Sequence, residues 1–508
     1  MSSEESQSLG ARLVASAGLI AATLMMTIDT TIANVALPHM QGSLSASPEQ
    51  ITWVLTSYIV ASAVMTPLTG WMAGRFGRKR LLMVSTVAFV VVSMLCGAAT
   101  SLTEMVLLRM LQGVAGAALI PMSQAAILDL WPTRLLAQAM AAWSAVIMAA
   151  PVLGPTLGGY LTDALSWRWV FYINLPIGVI ALIAMSLGLP RDEPGRRPTM
   201  DQLGVGALIV FIVSLQLLLD RGPSRDWFDA PEIWIEAVLA ACALHVFVIQ
   251  TLTARNPYVP RGLLGDRNFM STLGVQLLLI ALLQASAALT PTLMQQLLGY
   301  SALQSGIVSA PRGFGSVAGF LLAPWISNRI GPRRAMFAGL LLNVAAFAMM
   351  SRFDLSMSPR PLEITGVLLG FGQALIFNPM AVLAYATLAP SLRNDATVIA
   401  SMGRNLGASV GIAILQALSV RQSAAAHEVL AGHVNTSDPL VRWALPEIFQ
   451  GPGGLGPLNA EVTRQGAMIA YDTVFGWMCA ASLVMAPLIL IMRPAKPGQG
   501  KGIEIHGE

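Results

Sequence analysis

Charged residues are scarce in this chain of 508 residues: they make up 11% of it, against about 25% in a typical soluble domain. Cysteine and histidine are scarce too, with three and five copies. Cys96, Cys242 and Cys479 have no disulfide or zinc spacing, and we expect them to be reduced core residues. The histidines form no cluster, which predicts no metal site, and His245 is expected to be an interior residue with satisfied hydrogen bonds.

Long apolar runs are abundant instead, because hydrophobic residues make up 55% of the chain. Many runs reach about 18–25 residues, enough to cross a hydrocarbon core. The pattern predicts an all-α polytopic membrane protein without a cleaved signal peptide. Breaks at glycine, proline and charge give fourteen predicted spans, near 13–38, 50–74, 81–100, 104–129, 136–163, 168–189, 204–220, 232–252, 269–292, 303–327, 335–350, 362–388, 395–420 and 467–491.

The lysines and arginines predict the orientation of these spans. Most of the 30 basic residues fall in the loops and tails that share a side with both termini. Basic loops stay in the cytoplasm, so we expect both termini to be cytoplasmic. The net charge of +4 reflects these loop arginines and predicts no nucleic-acid partner.

Two pairs of similar segments occur at matching positions along the chain. The turns "RFGRKR" (75–80) and "RIGPRR" (329–334) resemble each other, and "GAALIPM" (116–122) resembles "GQALIFNPM" (372–380). Spans 1–6 and 9–14 are therefore predicted to be two copies of a six-helix unit, as in many secondary transporters. The predicted parts are a first bundle (1–189), a linker (190–203), an inserted helix pair (204–267), a second bundle (268–492) with a long outer loop (421–466), and a cytoplasmic tail (493–508).

Six stretches carry more specific motifs. They are "MTIDTTIANVALP" (26–38), "GWMAGRFGRKR" (70–80), "LLRMLQGVAGA" (107–117), "GPTLGG" (154–159), "WRWVFYINLPIG" (167–178) and "LQLLLDRGPSRDWF" (215–228). Together they resemble the fourteen-span drug:proton antiporters of the major facilitator superfamily, the EmrB/QacA type. The resemblance runs from about residue 15 to 490 and does not specify the substrate.

The resemblance implies two six-helix bundles with two inserted helices, in the cytoplasmic (inner) membrane of a bacterium. It implies a proton-coupled multidrug exporter of hydrophobic or cationic small molecules that works by alternating access and is not an enzyme. Its energy source would be the proton motive force, and it would need no cofactor. It would be surrounded by membrane lipids. The expected protein partners are a periplasmic adaptor protein and an outer-membrane channel.

The resemblance also assigns gating positions. It places them in the inner turn and in the fifth span, where glycine and proline are typical of a hinge between the halves; a static kink is the alternative. One departure concerns Gly74, which occupies the position of the usual acid, so a charge latch there is unavailable. The gating candidates are Gly70, Arg75, Gly77, Arg78, Gly154, Pro155, Gly158 and Gly159.

Asp29 is the one clear acid that we place within the spans, beside three bases, Arg109, Arg312 and Arg404. A charge at mid-membrane is costly and is expected to have a function and a partner. Helix depth allows Asp29 and Arg109 to face each other, and helical angles direct Asp29 away from its neighbouring threonines. Two interpretations stay open: Asp29 carries the proton and acts as counter-ion for a cationic substrate, or the pair only aligns helices.

Other polar residues in the spans are cavity candidates, although ordinary packing fits them equally well. The alternative functions are export of a specific metabolite, siderophore or lipid-like compound, and facilitated uptake by the same fold. No nucleophile–base pair or phosphate-binding loop points to an enzyme or an ATP-driven pump. The cavity candidates are Asn34, Tyr58, Gln112, Gln124 and Arg312.

Overall fold

The computed structural model describes residues 8–51, 53–192, 201–222, 225, 227–389, 392–433 and 455–492, and these residues form helices and turns without a strand. Within the helices, the side chains of Asn34 and Pro155 lie outside the description. The helices are α1 (Leu9–Ser43), α2 (Pro48–Ile51), α3 (Trp53–Phe76), α4 (Arg78–Ala98), α5 (Leu102–Gly116), α6 (Leu119–Leu130), α7 (Thr133–Ala164), α8 (Trp169–Tyr172), α9 (Asn174–Gly188), α10 (Gln202–Arg221), α11 (Pro231–Thr253), α12 (Arg261–Gly265), α13 (Arg267–Thr292), α14 (Ala302–Ile330), α15 (Pro332–Met350), α16 (Pro359–Ala386), α17 (Arg393–His433), α18 (Leu455–Leu483) and α19 (Met485–Ile491).

Local chemistry explains where several helices begin. Ser8 and Ser101 cap α1 and α5 by accepting hydrogen bonds from backbone N–H groups of the first turn. A reciprocal capping box between Ser301 and Gln304 starts α14, and proline occupies the first turn of α11, α15 and α16. These devices satisfy or remove the free N–H groups that every helix start exposes.

Thirteen helical segments of the described residues are long and apolar enough to cross a membrane. The remaining predicted span corresponds to α7, a 32-residue helix with a shorter apolar stretch over Gln138–Ile147. The chain is therefore a multi-pass membrane protein. Because a lipid environment offers no hydrogen bonds to the backbone, continuous helices are the expected way for these segments to satisfy it.

The two predicted six-helix units repeat the same helix pairings. In the first, α1 packs on α7, α3 on α5, and α4 on α9; in the second, α13 packs on α17, α14 on α16, and α15 on α18. The basic turns match in detail, since Gly77 and Gly331 have φ of 90° and 89°, where an L side chain is strained. We call the end of the bundle that carries these two turns the basic end.

The outer loop predicted over 421–466 is helical at both of its ends. Helix α17 continues to His433 and α18 begins at Leu455. At about 1.5 Å per residue, the 41 residues of α17 span roughly 62 Å, about twice the hydrocarbon thickness. The two helices stay in contact outside the predicted spans, where Thr463 Oγ1 lies 3.2 Å from His427 Nδ1.

Three smaller predictions are wrong. Cys242 is exposed rather than in the core, and His245, on the same helix α11, is exposed too. Asp29 is not the one acid of the spans: Glu236 of α11 is buried and pairs with Arg221 at 2.8 Å, and α17 and α18 also contain carboxylates. An arginine at the end of the preceding helix thus compensates the Glu236 charge.

Candidate functional site

Asp29 lies on α1 and is fully buried. Its Oδ2 accepts a hydrogen bond from Arg109 Nη1 of α5 at 2.7 Å. Its Oδ1 accepts from Gln112 Nε2 at 3.0 Å and from Asn174 Nδ2 of α9 at 2.7 Å. Two helices of the first bundle, α5 and α9, therefore supply donors to one carboxylate on α1, and the pairing of Asp29 with Arg109 that the sequence allowed is present.

Arg109 is held by more than its carboxylate partner. Its Nε donates to the Val54 carbonyl at 3.1 Å, and its Nη1 also donates to Gln112 Oε1 at 2.7 Å. The guanidinium carbon lies 4.4 Å from the ring centre of Tyr58 and 5.7 Å from that of Phe171, where the ring faces attract a cation. The arginine thus keeps acceptors and aromatic contacts that do not depend on Asp29.

The neighbouring threonines do not solvate Asp29. Thr27 Oγ1 donates to the Thr23 carbonyl, Thr30 Oγ1 to the Thr27 carbonyl, and Thr31 Oγ1 to the Ile28 carbonyl. The helical-angle prediction for these side chains is confirmed. The polar stretch around Asp29 therefore divides into a buried carboxylate and a separate face of self-satisfied hydroxyls.

Asn174 and Ser93 belong to the network, and the sequence reasoning missed both. Asn174 Nδ2 donates to Ser93 Oγ at 2.9 Å as well as to Asp29, and Ser93 Oγ donates to the Phe171 carbonyl at 2.9 Å. An asparagine in an apolar span was the available signal, since such an amide needs partners within the bundle.

The cavity candidates separate into different environments. Tyr58 is buried against Arg109. Gln112 uses its amide group in hydrogen bonds with Asp29 and Arg109. Neither side chain therefore lines an open cavity. Arg312 donates to the Leu283 carbonyl at 3.1 Å and lies 3.5 Å from Ser286 Oγ. Gln124 lines a cleft, and the Asn34 side chain is outside the described residues.

That cleft lies between the two six-helix units. Gln124 of α6 forms its wall in the first unit, and Arg404 Nη1 of α17 lies 3.4 Å from Gln124 Oε1. The sequence places Arg404 in a span as a base, but it does not predict that this side chain lines a cavity. The cleft is lined by Gln124, Phe269, Thr272, Leu273, Gln276, Phe377, Met380, Ala381, Ala384, Tyr385, Ala400 and Arg404.

The inner turn of the first unit is anchored by an acid from elsewhere. Asp192, which follows α9, accepts hydrogen bonds from the backbone N–H groups of Lys79 and Arg80 at 2.8 and 2.9 Å. Lys79 Nζ donates to the Ser186 and Leu189 carbonyls. The carboxylate at the start of α4 is favoured by the helix dipole. Gly77, the residue before α4, leaves room for it, because an added Cβ would overlap Asp192.

A second acid joins the two units at the basic end. Asp129 of α6 pairs with Arg78 of α4 at 2.7 Å and with Arg393 of α17 at 3.3 Å. Arg75 instead lies beside the rings of Trp71 and Phe76. The contact of Asp129 with the second unit supplies a charged latch at the end where Gly74 offers none.

We expect Asp129→Asn to loosen this latch. Exposed ion pairs contribute about 1 kcal/mol or less, so the closed population should fall roughly fivefold or less. Cysteines at Gly70 and Val398, which face each other between α3 and α17, would report closure by their disulfide yield after the native cysteines are replaced. Arg333→Gln removes a basic-end arginine that donates to the Leu490 carbonyl and should leave the yield unchanged. An unchanged yield in Asp129→Asn would argue against the latch.

The fifth-span glycines pack against α1 rather than across the halves. A Cβ added at Gly154 would overlap the Thr31 side chain, and one at Gly158 would lie 2.8 Å from Ile32 Cγ1 and 3.1 Å from the Ile32 carbonyl oxygen. One added at Gly159 would meet nothing within 4 Å. Two of the predicted gating glycines therefore hold α7 close to the helix that carries Asp29.

The comparisons with known proteins agree with this architecture. Residues 19–412 match the sequence family described as Major Facilitator Superfamily. The chain is 34% identical to the multidrug export protein EmrB of Escherichia coli (strain K12), covering 98% of both chains, and 33% identical to EmrB of Haemophilus influenzae, covering 97% of both. The human organic anion transporter MFSD10 shares the fold, with a TM-score of 0.59 at 15% identity, covering 96% of this chain and 100% of that one.

Proposed function

The chain belongs to the Major Facilitator Superfamily, and on that premise we propose that it is a multidrug exporter that exchanges hydrophobic small molecules for protons. Near-full-length similarity to two proteins named multidrug export proteins supports the substrate class. The single observation that carries the coupling mechanism is the buried Asp29 network. The proton motive force is the proposed energy source, and no cofactor is required.

Asp29 is suited to carry a proton because its partner, Arg109, has other contacts that remain when Asp29 is neutral. Protonation of Asp29 leaves Arg109 without a counter-charge, and removing one member of a buried pair is normally expensive. Here the Val54 carbonyl, Gln112 Oε1 and the Tyr58 ring remain in contact with the guanidinium. Gln112 and Asn174 also remain beside the protonated carboxyl group. Both charge states of Asp29 therefore have local support.

Alternating access completes the proposed cycle. The cleft between the units holds the substrate, and the Asp129 bridge to Arg78 and Arg393 closes its basic end. Opening that end exposes the cleft to the side with the basic turns, and opening the other end releases the substrate. Proton binding at Asp29 favours one position of α1. Because α1 packs on α7, and α7 packs on α14 of the second unit, this position influences how the two units are arranged.

The proposal places the protein in the inner membrane of a bacterium with both termini in the cytoplasm. The basic end then faces the cytoplasm, as the distribution of lysine and arginine favours. The extended ends of α17 and α18 lie on the opposite side. They offer a helical surface for the proposed periplasmic adaptor, which would lead to an outer-membrane channel.

Inverted membrane vesicles test this function. We expect an apolar fluorescent dye to accumulate inside vesicles that carry the protein when respiration supplies the gradient, without any need for ATP. An uncoupler should abolish accumulation, and vesicles without the protein should show none. Uptake that requires ATP, resists the uncoupler, or runs in the opposite direction would contradict proton-driven export.

A further inference from the structure

We propose that Arg404 forms a subsite for the anionic group of amphipathic substrates, so that the cleft selects carboxylate-bearing compounds over neutral and cationic ones. This inference rests on the proposed export function and names the chemistry of its substrates. It departs from the sequence-based expectation of cationic substrates.

The contacts of Arg404 are incomplete for a buried cation. Its exposed fraction is 8%, and Nη1 has a long contact with Gln124 Oε1 at 3.4 Å. Nη2 is buried without a hydrogen-bond partner among the described residues. Burying a charge without a counter-charge is costly, and a buried donor left unpaired adds to that cost. The side chain is therefore suited to a partner that comes from outside the protein.

Arg109 provides the contrast within the same chain. Arg109 is more deeply buried than Arg404, and its Nη2 likewise lacks a hydrogen-bond partner among the described residues. The difference is that a carboxylate, an amide oxygen, a carbonyl and two aromatic faces surround the Arg109 guanidinium. An arginine that only aligns helices would be expected to have such partners. Within the described residues no ion pair joins Arg404 to a carboxylate.

The surroundings of Arg404 match an amphipathic anion. It lies eleven residues into α17, which at about 1.5 Å per residue places it about 16 Å from the start of that helix. Phe269, Phe377 and Met380 line the same cleft and offer apolar surface for the body of the substrate. Gln276 Nε2 donates to the Ala400 carbonyl and fixes α13 against α17. The lining residues of the cleft include no carboxylate, so a cation would find no counter-charge there.

A guanidinium recognises a carboxylate with two parallel hydrogen bonds. A lysine would supply the charge without that fork. Substrate binding would place the carboxylate against Nη2 and the ring system against the aromatic wall. Neutral compounds would use the apolar wall alone and bind more weakly.

Calorimetry with three matched probes tests the subsite. The purified full-length protein is titrated at neutral pH with 1-naphthylacetate, its methyl ester, and 1-naphthylethylamine. We expect the wild type to bind the carboxylate about tenfold more tightly than the ester, a difference of about 1.4 kcal/mol, and to bind the amine most weakly. Arg404→Gln should bind the carboxylate and the ester equally, and Arg404→Lys should keep part of the preference.

Arg312→Gln is the matched control, because Arg312 is the other arginine that the sequence places within a span of the second unit, and it does not line the cleft. It should keep the preference for the carboxylate. The proposal is overturned if the wild type prefers the ester or the amine or shows no preference, if Arg404→Gln keeps the preference, or if Arg312→Gln loses it as well. The wild-type comparison decides the question even if Arg404→Gln does not fold.

The vesicle assay separates this inference from the proposed function. If the wild type moves dye in exchange for protons but shows no carboxylate preference, only the Arg404 subsite fails. If it moves no dye under a proton gradient, the export function fails whatever the calorimetry gives.

Discussion

Asp29→Asn should reduce proton-driven dye efflux to the level of vesicles that lack the protein. Asparagine keeps the size of the side chain and one oxygen for the amides of Gln112 and Asn174, but it cannot exchange a proton. The measurement is uncoupler-sensitive dye accumulation in inverted vesicles at matched protein content. Asp29→Glu keeps an ionisable group and should retain measurable efflux.

The double variant Asp29→Asn/Arg109→Gln separates a proton carrier from a structural ion pair. Removing one partner of a buried pair normally costs about 3–5 kcal/mol, because the other charge is left unpaired, whereas removing both charges is often neutral. The remaining contacts of Arg109 with Val54, Gln112 and Tyr58 should keep the loss in Asp29→Asn below that range. The double variant should therefore recover the thermal stability that Asp29→Asn loses and still show no coupled efflux. If it transports dye as the wild type does, the pair only aligns helices and the carrier role is wrong.

Gly158→Ala should impair both stability and transport. The added methyl group would press on the Ile32 side chain and on its carbonyl oxygen, and Ile32 lies on the Asp29 helix one turn away. Backbone atoms cannot move aside cheaply, and overpacking of a well-packed interface costs about 1–3 kcal/mol. We expect a lower unfolding temperature of the purified protein and a reduced rate of dye efflux.

Gly159→Ala is the matched control on the same helix. A methyl group there meets no atom within 4 Å, so stability and efflux should stay near the wild-type level. Equal effects of the two substitutions would mean that glycine acts through the flexibility of α7 instead of through its close approach to α1. A harmless Gly158→Ala would contradict the packing account directly.

The sequence predicted the spans well, because each run of apolar residues is a local signal that the membrane itself imposes. It also predicted that Asp29 and Arg109 can meet, since depth along a helix follows from residue count. The matching conformations of Gly77 and Gly331 explain why the two basic turns resemble each other: both need a residue that accepts positive φ.

The parts that the sequence could not predict depend on contacts between distant segments. Asp192 anchors the inner turn from 113 residues further along the chain, and Asp129 reaches Arg393 across the two units. No local pattern marks either acid as a partner of that turn. The outer ends of α17 and α18 were missed for another reason, since a helix beyond the membrane lacks the long apolar run used to find spans.

Simultaneous measurement of proton and dye flux tests the central claim most directly. Proteoliposomes contain either the wild type or Asp29→Asn/Arg109→Gln, and a pH-sensitive reporter is trapped inside them. A pH gradient is imposed, and transport of a second, apolar dye is followed at the same time. The account predicts that the wild type moves protons only when the transported dye is present, and that the double variant folds but moves neither. Dye-dependent proton movement in the double variant, or dye transport without proton movement in the wild type, would contradict the role of Asp29.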